Sequence, residues 1–204
     1  MIRLALSQRI CSSSNGSETR DCLDERLTQL LMSIGMLPVP MPNFARADRG
    51  EIATFDDWLR EIRPSGVILT GGDDPRVRDS RWWAERALVG YARFHELPLL
   101  GICRGMQRLA LEDGGTIEPV KGHVAVQHVV TTRREPVNSF HEFAVVDLPR
   151  TWRPVAYADD GVLEAMTHVM LPWRGWMWHP ERESPFAEED VSDLLRLFGG
   201  GHAS

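Results

Sequence analysis

Apolar residues along this chain recur with two periods, and the two alternate. Ile2-Arg-Leu-Ala-Leu6 alternates in strand fashion and reads as a first strand. Residues 11–19 are rich in Ser, Asn and Gly and read as an irregular loop. Leu23, Leu27, Leu30, Leu31 and Ile34 then repeat at helical spacing, and Gly35 ends that helix. Residues 38–40 form a short extended piece, and a weaker helix covers 54–62. Gly66-Val-Ile-Leu-Thr70 is a buried strand that runs into Gly71-Gly72-Asp73-Asp74. A charged helix over 80–95 leads to a second buried run, Leu99, Leu100 and Ile102, which stops at Cys103. Helical spacing resumes from Met106 to Leu111. Strand and helix in alternation predict an α/β fold, a mostly parallel sheet with helices on both faces. Such sheets bind ligands at the carboxyl ends of their strands, where Gly71-Gly72 and Cys103 both fall.

The second half changes period. Residues 124–132, 143–147, 154–158, 162–168 and 175–178 read as strands with no long helix between them, a small β-rich extension. A helix over 185–198 closes the pattern. The expected organisation is one domain over 1–198, with 199–204, opening on three glycines, as a flexible tail.

Composition adds four constraints. A length of 204 residues and a hydrophobic fraction of 43% suffice for a core without disulfide staples. The net charge of −6, with no run of Lys or Arg, gives no support for a nucleic-acid partner. No stretch reads as a signal peptide or a membrane span, so the expected location is the cytoplasm, with no membrane partner. Three cysteines, Cys11, Cys22 and Cys103, suggest no disulfide framework, and Cys11 and Cys22 read as two unrelated thiols.

Candidate chemistry lies in three segments. A strand that breaks into a helix around Cys103, between Gly101 and Gly105, has the form of a nucleophile elbow. The helix N-terminus would favour the thiolate. A small cysteine packed beneath a βα turn fits the same residues. In Trp178-His179-Pro180-Glu181, Pro180 holds His179 extended, so that residues 179 and 181 point the same way. A carboxylate beside an imidazole fixes its tautomer and stabilises its cation. Finally, backbone N–H groups of Gly72 and Arg104 suit an oxyanion hole.

Together, Gly-Ile-Cys-Arg-Gly-Met-Gln at 101–107, Trp-His-Pro-Glu at 178–181 and Gly-Gly-Asp-Asp at 71–74 resemble the class I glutamine amidotransferase family. The resemblance implies a flavodoxin-like sheet. It also implies a Cys103, His179, Glu181 triad, a γ-glutamyl thioester, and no cofactor. It places Gln107 on the glutamyl group. Val137-Asn138-Ser139-Phe140-His141 resembles the family's Val-Asn-Ser-x-His stretch and would meet the α-amino and α-carboxylate groups. Arg104 in the elbow and Asp160-Gly-Val-Leu-Glu-Ala165 resemble the stand-alone γ-glutamyl hydrolase branch. Residues 20–24 and 122–128 resemble the hydrolases of γ-glutamyl-CDP-amidate in capsule phosphoramidate synthesis. Arg9, Arg20 and Arg104 would then meet a pyrophosphate. Solvated surface charge is the alternative for Arg9 and Arg20. The other functional alternative is a glutaminase chain that supplies ammonia to a separate synthetase.

His123, His128, His141 and His168 fit no standard zinc spacing, so no metal is expected. His123 and His128, five apart on one strand, would face opposite sides. Among the tryptophans, Trp178 is the best candidate for a wall of the site.

Overall fold

The computed structural model describes residues 1–13, 16–44 and 49–200, the side chains of 49–53 excepted. β1 (Ile2–Leu6) is followed by a hairpin, β2 (Arg9–Ser12) and β3 (Thr19–Cys22), then by α1 (Glu25–Ser33) and β4 (Met36–Pro40). The alternation continues with α2 (Arg49–Ile62), β5 (Gly66–Leu69), α3 (Ser80–Phe94), β6 (Leu99–Ile102) and α4 (Arg104–Glu112). Then come β7 (Thr116–Pro119), β8 (Val124–His128), β9 (Val137–Phe140) and β10 (Phe143–Asp147). β11 (Trp152–Tyr157), β12 (Leu163–His168), β13 (Trp173–Trp176) and α5 (Glu188–Gly199) complete the chain.

Seven strands form the main sheet in the order β11-β12-β13-β6-β5-β1-β4. The run from β13 to β4 is parallel, while β12 and β11 add antiparallel neighbours at one edge. Counting only the parallel strands along the chain, their order is 2-1-3-4-5, the flavodoxin-like arrangement. The alternation of side chains divides the core. Leu4, Leu6, Ile68, Leu100 and Ile102 face α1 and α5 through Leu27, Leu30, Leu31, Leu194 and Phe198. Ala5, Val67, Leu69 and Leu99 face the other way, toward Phe55 of α2, Leu88 of α3 and Met106 and Leu109 of α4. The β-rich extension is two short pairs, β7 with β10 and β8 with β9.

Several expectations need correction. The stretch 11–19 is not irregular throughout: Arg9 pairs with Cys22 and Cys11 with Arg20 in an exposed antiparallel ribbon. Its polar composition hid it, because neither of its faces is packed into the core. The ribbon makes Cys11 and Cys22 diagonal neighbours across the strand pair, and interaction with the Cys11 thiol, with some desolvation, raises the Cys22 pKa. Both remain free thiols. Strands β7 and β9 were not expected. Gly199 belongs to α5 and Gly200 caps it; the rest of the expected tail, 201–204, lies outside the described residues. Among the described residues, no helix is long and apolar enough to cross a membrane.

Candidate active site

Three loops meet at the carboxyl ends of three adjacent parallel strands, β5, β6 and β13. The centre is Cys103, at φ 50° and ψ −107°, a left-handed conformation rare outside glycine. Holding it there costs about 1–3 kcal/mol, which the surroundings must offset. They do so by close backbone packing. A β-carbon on Gly105 would lie 2.1 Å from the Leu69 carbonyl oxygen. One on Gly101 would lie 2.5 Å from the Gly105 carbonyl carbon. Only glycine lets β5, β6 and α4 approach this closely. Cys103 N–H donates to the Trp176 carbonyl at 2.6 Å, and its own carbonyl accepts from Gln107 N–H at 3.1 Å, opening α4. The sulfur therefore sits at a helix N-terminus in a buried position, where the dipole favours an anion.

β13 lies beside β6 in register, Trp176 opposite Ile102, so the chain leaving β13 passes the elbow. His179 is extended (φ −109°, ψ 94°), as Pro180 demands. Glu181 is not extended. Pro180–Arg182 forms a 3-10 turn, and this turn, rather than strand alternation, curls Glu181 back to place Oε1 at 2.7 Å from His179 Nδ1. Arg26 of α1 anchors the turn by donating to the carbonyls of Glu181 and Glu183. Burial opposes charge on His179. Hydrogen bonds to Cys103 and Glu181, together with their negative charge, outweigh it and raise the imidazole pKa to about 9. Gly71 leaves room for the ring, since a β-carbon there would lie 2.6 Å from His179 Cε1.

The Gly71-Gly72 turn rests on a buried ionic network. Arg81 donates to the carbonyls of Thr70 at 2.7 Å and Gly71 at 3.0 Å. A trans peptide whose carbonyl is held this way points its N–H, that of Gly72, in the opposite direction. Arg81 and Arg104 both pair with Glu85, at 2.8 and 2.5 Å, and Ser7 adds a hydrogen bond. All three charged side chains are buried. Burial works against the Glu85 carboxylate, yet the two guanidiniums hold its pKa below the ordinary carboxylate range. Nothing in the charged pattern of α3 marked Glu85 or Arg81 as part of the site.

The loops enclose a cleft of about 300 Å³. Gly72, Cys103, Gln107, Phe140, His141 and His179 all line it. Arg9 also lines it, beside Asp73 at 3.1 Å. Arg20 does not; it pairs with Glu18 on the exposed ribbon. The Arg104 guanidinium is turned back onto Glu85, so only its backbone remains for a ligand. Asn138 grips the backbone of His179 on both sides, accepting from its N–H at 3.0 Å and donating to its carbonyl at 2.8 Å. Its side chain thereby positions His179 and has little left for a substrate. Ser139 is buried and donates to the His123 carbonyl at 2.8 Å. Trp178 is no wall of this cleft: it stacks on Trp176 and donates to Asp190 at 3.1 Å. Arg182, over the Phe140 ring, is a lining residue that no sequence signal separated from surface charge.

Behind the cleft wall lies a cluster that strand alternation argued against. The rings of His123 and His128 are 4.1 Å apart. Pairing of β8 with β9 shifts register between Val124 and Val126, with Ala125 at φ 56°. That extra residue reverses the parity of the strand, so positions five apart meet. His123, His141 and Glu164 also converge, each fully or almost fully buried.

Comparison with known proteins agrees with this architecture. Residues 20–192 match the family model for class-I glutamine amidotransferases. The chain belongs to the class-I glutamine amidotransferase family and is an enzyme of that type. Among curated relatives, it is 34% identical to γ-glutamyl-CDP-amidate hydrolase of Campylobacter jejuni, over 89% of this chain and 90% of that one. It is 33% identical to the glutamine-hydrolysing GMP synthase subunit of Methanosarcina barkeri, over 70% and 78% of the two chains. A solved structure from Thermoplasma acidophilum, described as a candidate for the same GMP synthase component, shares the fold with a TM-score of 0.66, at 19% identity over 98% of this chain and 93% of that one.

Proposed function

We propose that the chain cleaves a γ-glutamyl amide bond through a γ-glutamyl thioester on Cys103. One observation carries this reading: a strained thiol at a helix N-terminus lines the same cleft as an imidazole whose Nδ1 lies 2.7 Å from a buried carboxylate. Glu181 accepts from Nδ1–H, which leaves the other ring nitrogen for the thiol. The Cys103 thiol gives its proton to His179, the sulfur attacks the γ-carbonyl carbon, and an S–C bond forms. Gly72 and Arg104 N–H groups take the oxyanion charge. The C–N bond breaks as His179 gives its proton to the departing nitrogen. Water, deprotonated by His179, then attacks the thioester. The S–C bond breaks, glutamate leaves, and His179 returns the proton it took from water to the sulfur.

The substrate is glutamine, and the ammonia passes to a separate synthetase chain. The GMP synthase relatives support this, since each is a glutamine-hydrolysing subunit by name. Arg104, which as a sequence letter favoured a stand-alone hydrolase, is spent on Glu85 and no longer discriminates. A second reading has its own observation. Arg9 and Arg182 line the cleft, and guanidiniums suit phosphate oxygens. With the near-full-length match to the Campylobacter enzyme, this favours a nucleotide-linked phosphoramidate such as γ-glutamyl-CDP-amidate. Glutamate release from glutamine, γ-glutamyl-CDP-amidate and γ-glutamyl amines separates the two. Glutamine turnover that rises with a copurified synthetase supports the first. A tenfold or greater preference for the phosphoramidate, lost in Arg9→Ala and Arg182→Ala, supports the second. No glutamate from any of them defeats both.

The His179 pKa sets a pH dependence. An imidazolium is needed to protonate the leaving nitrogen, so kcat/KM is expected to hold on the acid side of about pH 9 and fall above it. Glu181 favours the cation. In Glu181→Gln the alkaline limb therefore moves to lower pH. A limb that stays in place would show that Glu181 does not act on His179.

A further inference from the structure

At the edge of the cleft, which His141 also lines, three ligand-type atoms outside the proposed catalytic steps face one another. His123 Nδ1 lies 3.2 Å from His141 Nε2 and 3.2 Å from Glu164 Oε1. His141 Nε2 lies 3.3 Å from the same oxygen. The other nitrogen of each ring is assigned by its partner. His141 Nδ1 is 3.0 Å from the Phe143 carbonyl, which can only accept, so that nitrogen carries the proton. His123 Nε2 is 2.8 Å from the Asp160 carboxylate and donates to it. Neutral rings in these tautomers turn two bare lone pairs toward a carboxylate. Three acceptors in a triangle repel unless a cation sits among them. Glu164 is fully buried, and its Oε2 has no hydrogen-bond partner among the described residues.

We propose that His123, His141 and Glu164 bind one divalent transition-metal ion, with zinc the best match. Zinc takes imidazole and carboxylate ligands at about 2.0–2.2 Å in tetrahedral array, which places neighbouring ligand atoms about 3.3–3.4 Å apart. The observed triangle has sides of 3.2, 3.2 and 3.3 Å. The outer partners fit as well, since metal-ligating histidines donate their second N–H to a carboxylate or a backbone carbonyl. Glu164 Oε2 or a solvent oxygen completes the coordination. His123 precedes β8, His141 follows β9 and Glu164 lies in β12 of the main sheet. The ion would therefore rivet the β8–β9 hairpin, which supplies Val124 and Phe140 to the cleft, onto the seven-stranded sheet. The assignment does not depend on the proposed reaction.

The test uses the full chain carrying Cys103→Ala, so that the site thiol cannot compete. The protein is stripped with a chelator and titrated with zinc and, in parallel, with cobalt. The expected result is one ion per chain by elemental analysis, visible d–d bands of a tetrahedral cobalt site, and a raised melting temperature. His123→Ala is expected to abolish the cobalt spectrum. Asp160 is half exposed and outside the core, so Asp160→Asn keeps the fold and is expected to weaken affinity about 10–100-fold. Sub-stoichiometric metal overturns the proposal and leaves a shared proton in the cluster. So does a cobalt spectrum with thiolate charge transfer that His123→Ala leaves unchanged, which would place the ion on Cys11 and Cys22.

Discussion

Replacing Cys103 with alanine is expected to lower glutamate release by about four to six orders of magnitude on every γ-glutamyl substrate, with little change in stability. The size follows from the role proposed for the sulfur. Without it no thioester forms, and only the oxyanion donors and binding groups remain to accelerate direct attack by water. The fold should tolerate the change. Alanine keeps the β-carbon, and so the same backbone strain at φ 50°, and the site's backbone bonds to Trp176 and Gln107 do not involve the side chain. Circular dichroism and melting compared with the parent chain, beside a glutamate assay, separate lost chemistry from lost structure. A folded variant with turnover within tenfold of the parent would remove Cys103 from the mechanism.

The second large effect lies in the buried network. Glu85→Ala leaves the guanidiniums of Arg81 and Arg104 facing each other in the core with no counter-charge. Breaking such a pair from one side costs about 3–5 kcal/mol. That is a large fraction of the stability of a chain this size. The pH dependence has a definite sign. The Glu85 pKa is depressed in the folded state, so its contribution is present above the unfolded value, about 4.3, and is lost as pH falls through the folded value. The gap between parent and variant in urea unfolding is therefore widest near neutral pH and narrows in acid. A gap below about 1 kcal/mol at pH 7 would mean that the network is solvated. Because Arg81 also holds the Gly71 carbonyl, any Glu85→Ala protein that folds is expected to lose activity as well.

What could be read in the sequence divides along physical lines. β1, β5 and β6 were legible because buried parallel strands are short continuous apolar runs. The elbow was legible because a tight βα turn needs glycines at fixed offsets. His179 was placed correctly by Pro180, but Glu181 reached it through a 3-10 turn that i and i+2 alternation does not describe. β9 was hidden because Asn138 and Ser139 are buried polar residues, satisfied by the backbones of His179 and His123. Their partners are 41 and 16 residues away, beyond any local pattern. Glu85 and Arg81 looked like solvated charges on a helix, since burial of an ion pair depends on what the sheet packs against it. The meeting of His123 with His128 turned on a single bulged residue, Ala125, which no composition rule marks.

The placement of the site has a consequence for how such a protein diversifies. Cys103, His179 and the Gly71-Gly72 turn hang from three neighbouring strands of the main sheet, so their mutual geometry is fixed by the core. The facing wall, with Val124 and Phe140, comes from the separate β8–β9 hairpin. Under the proposed reaction, insertions or exchanges in that hairpin would change which leaving group the thiol meets, while Cys103 and His179 stay where the sheet puts them. On that reading, leaving-group choice and bond-breaking power would drift on separate parts of the chain.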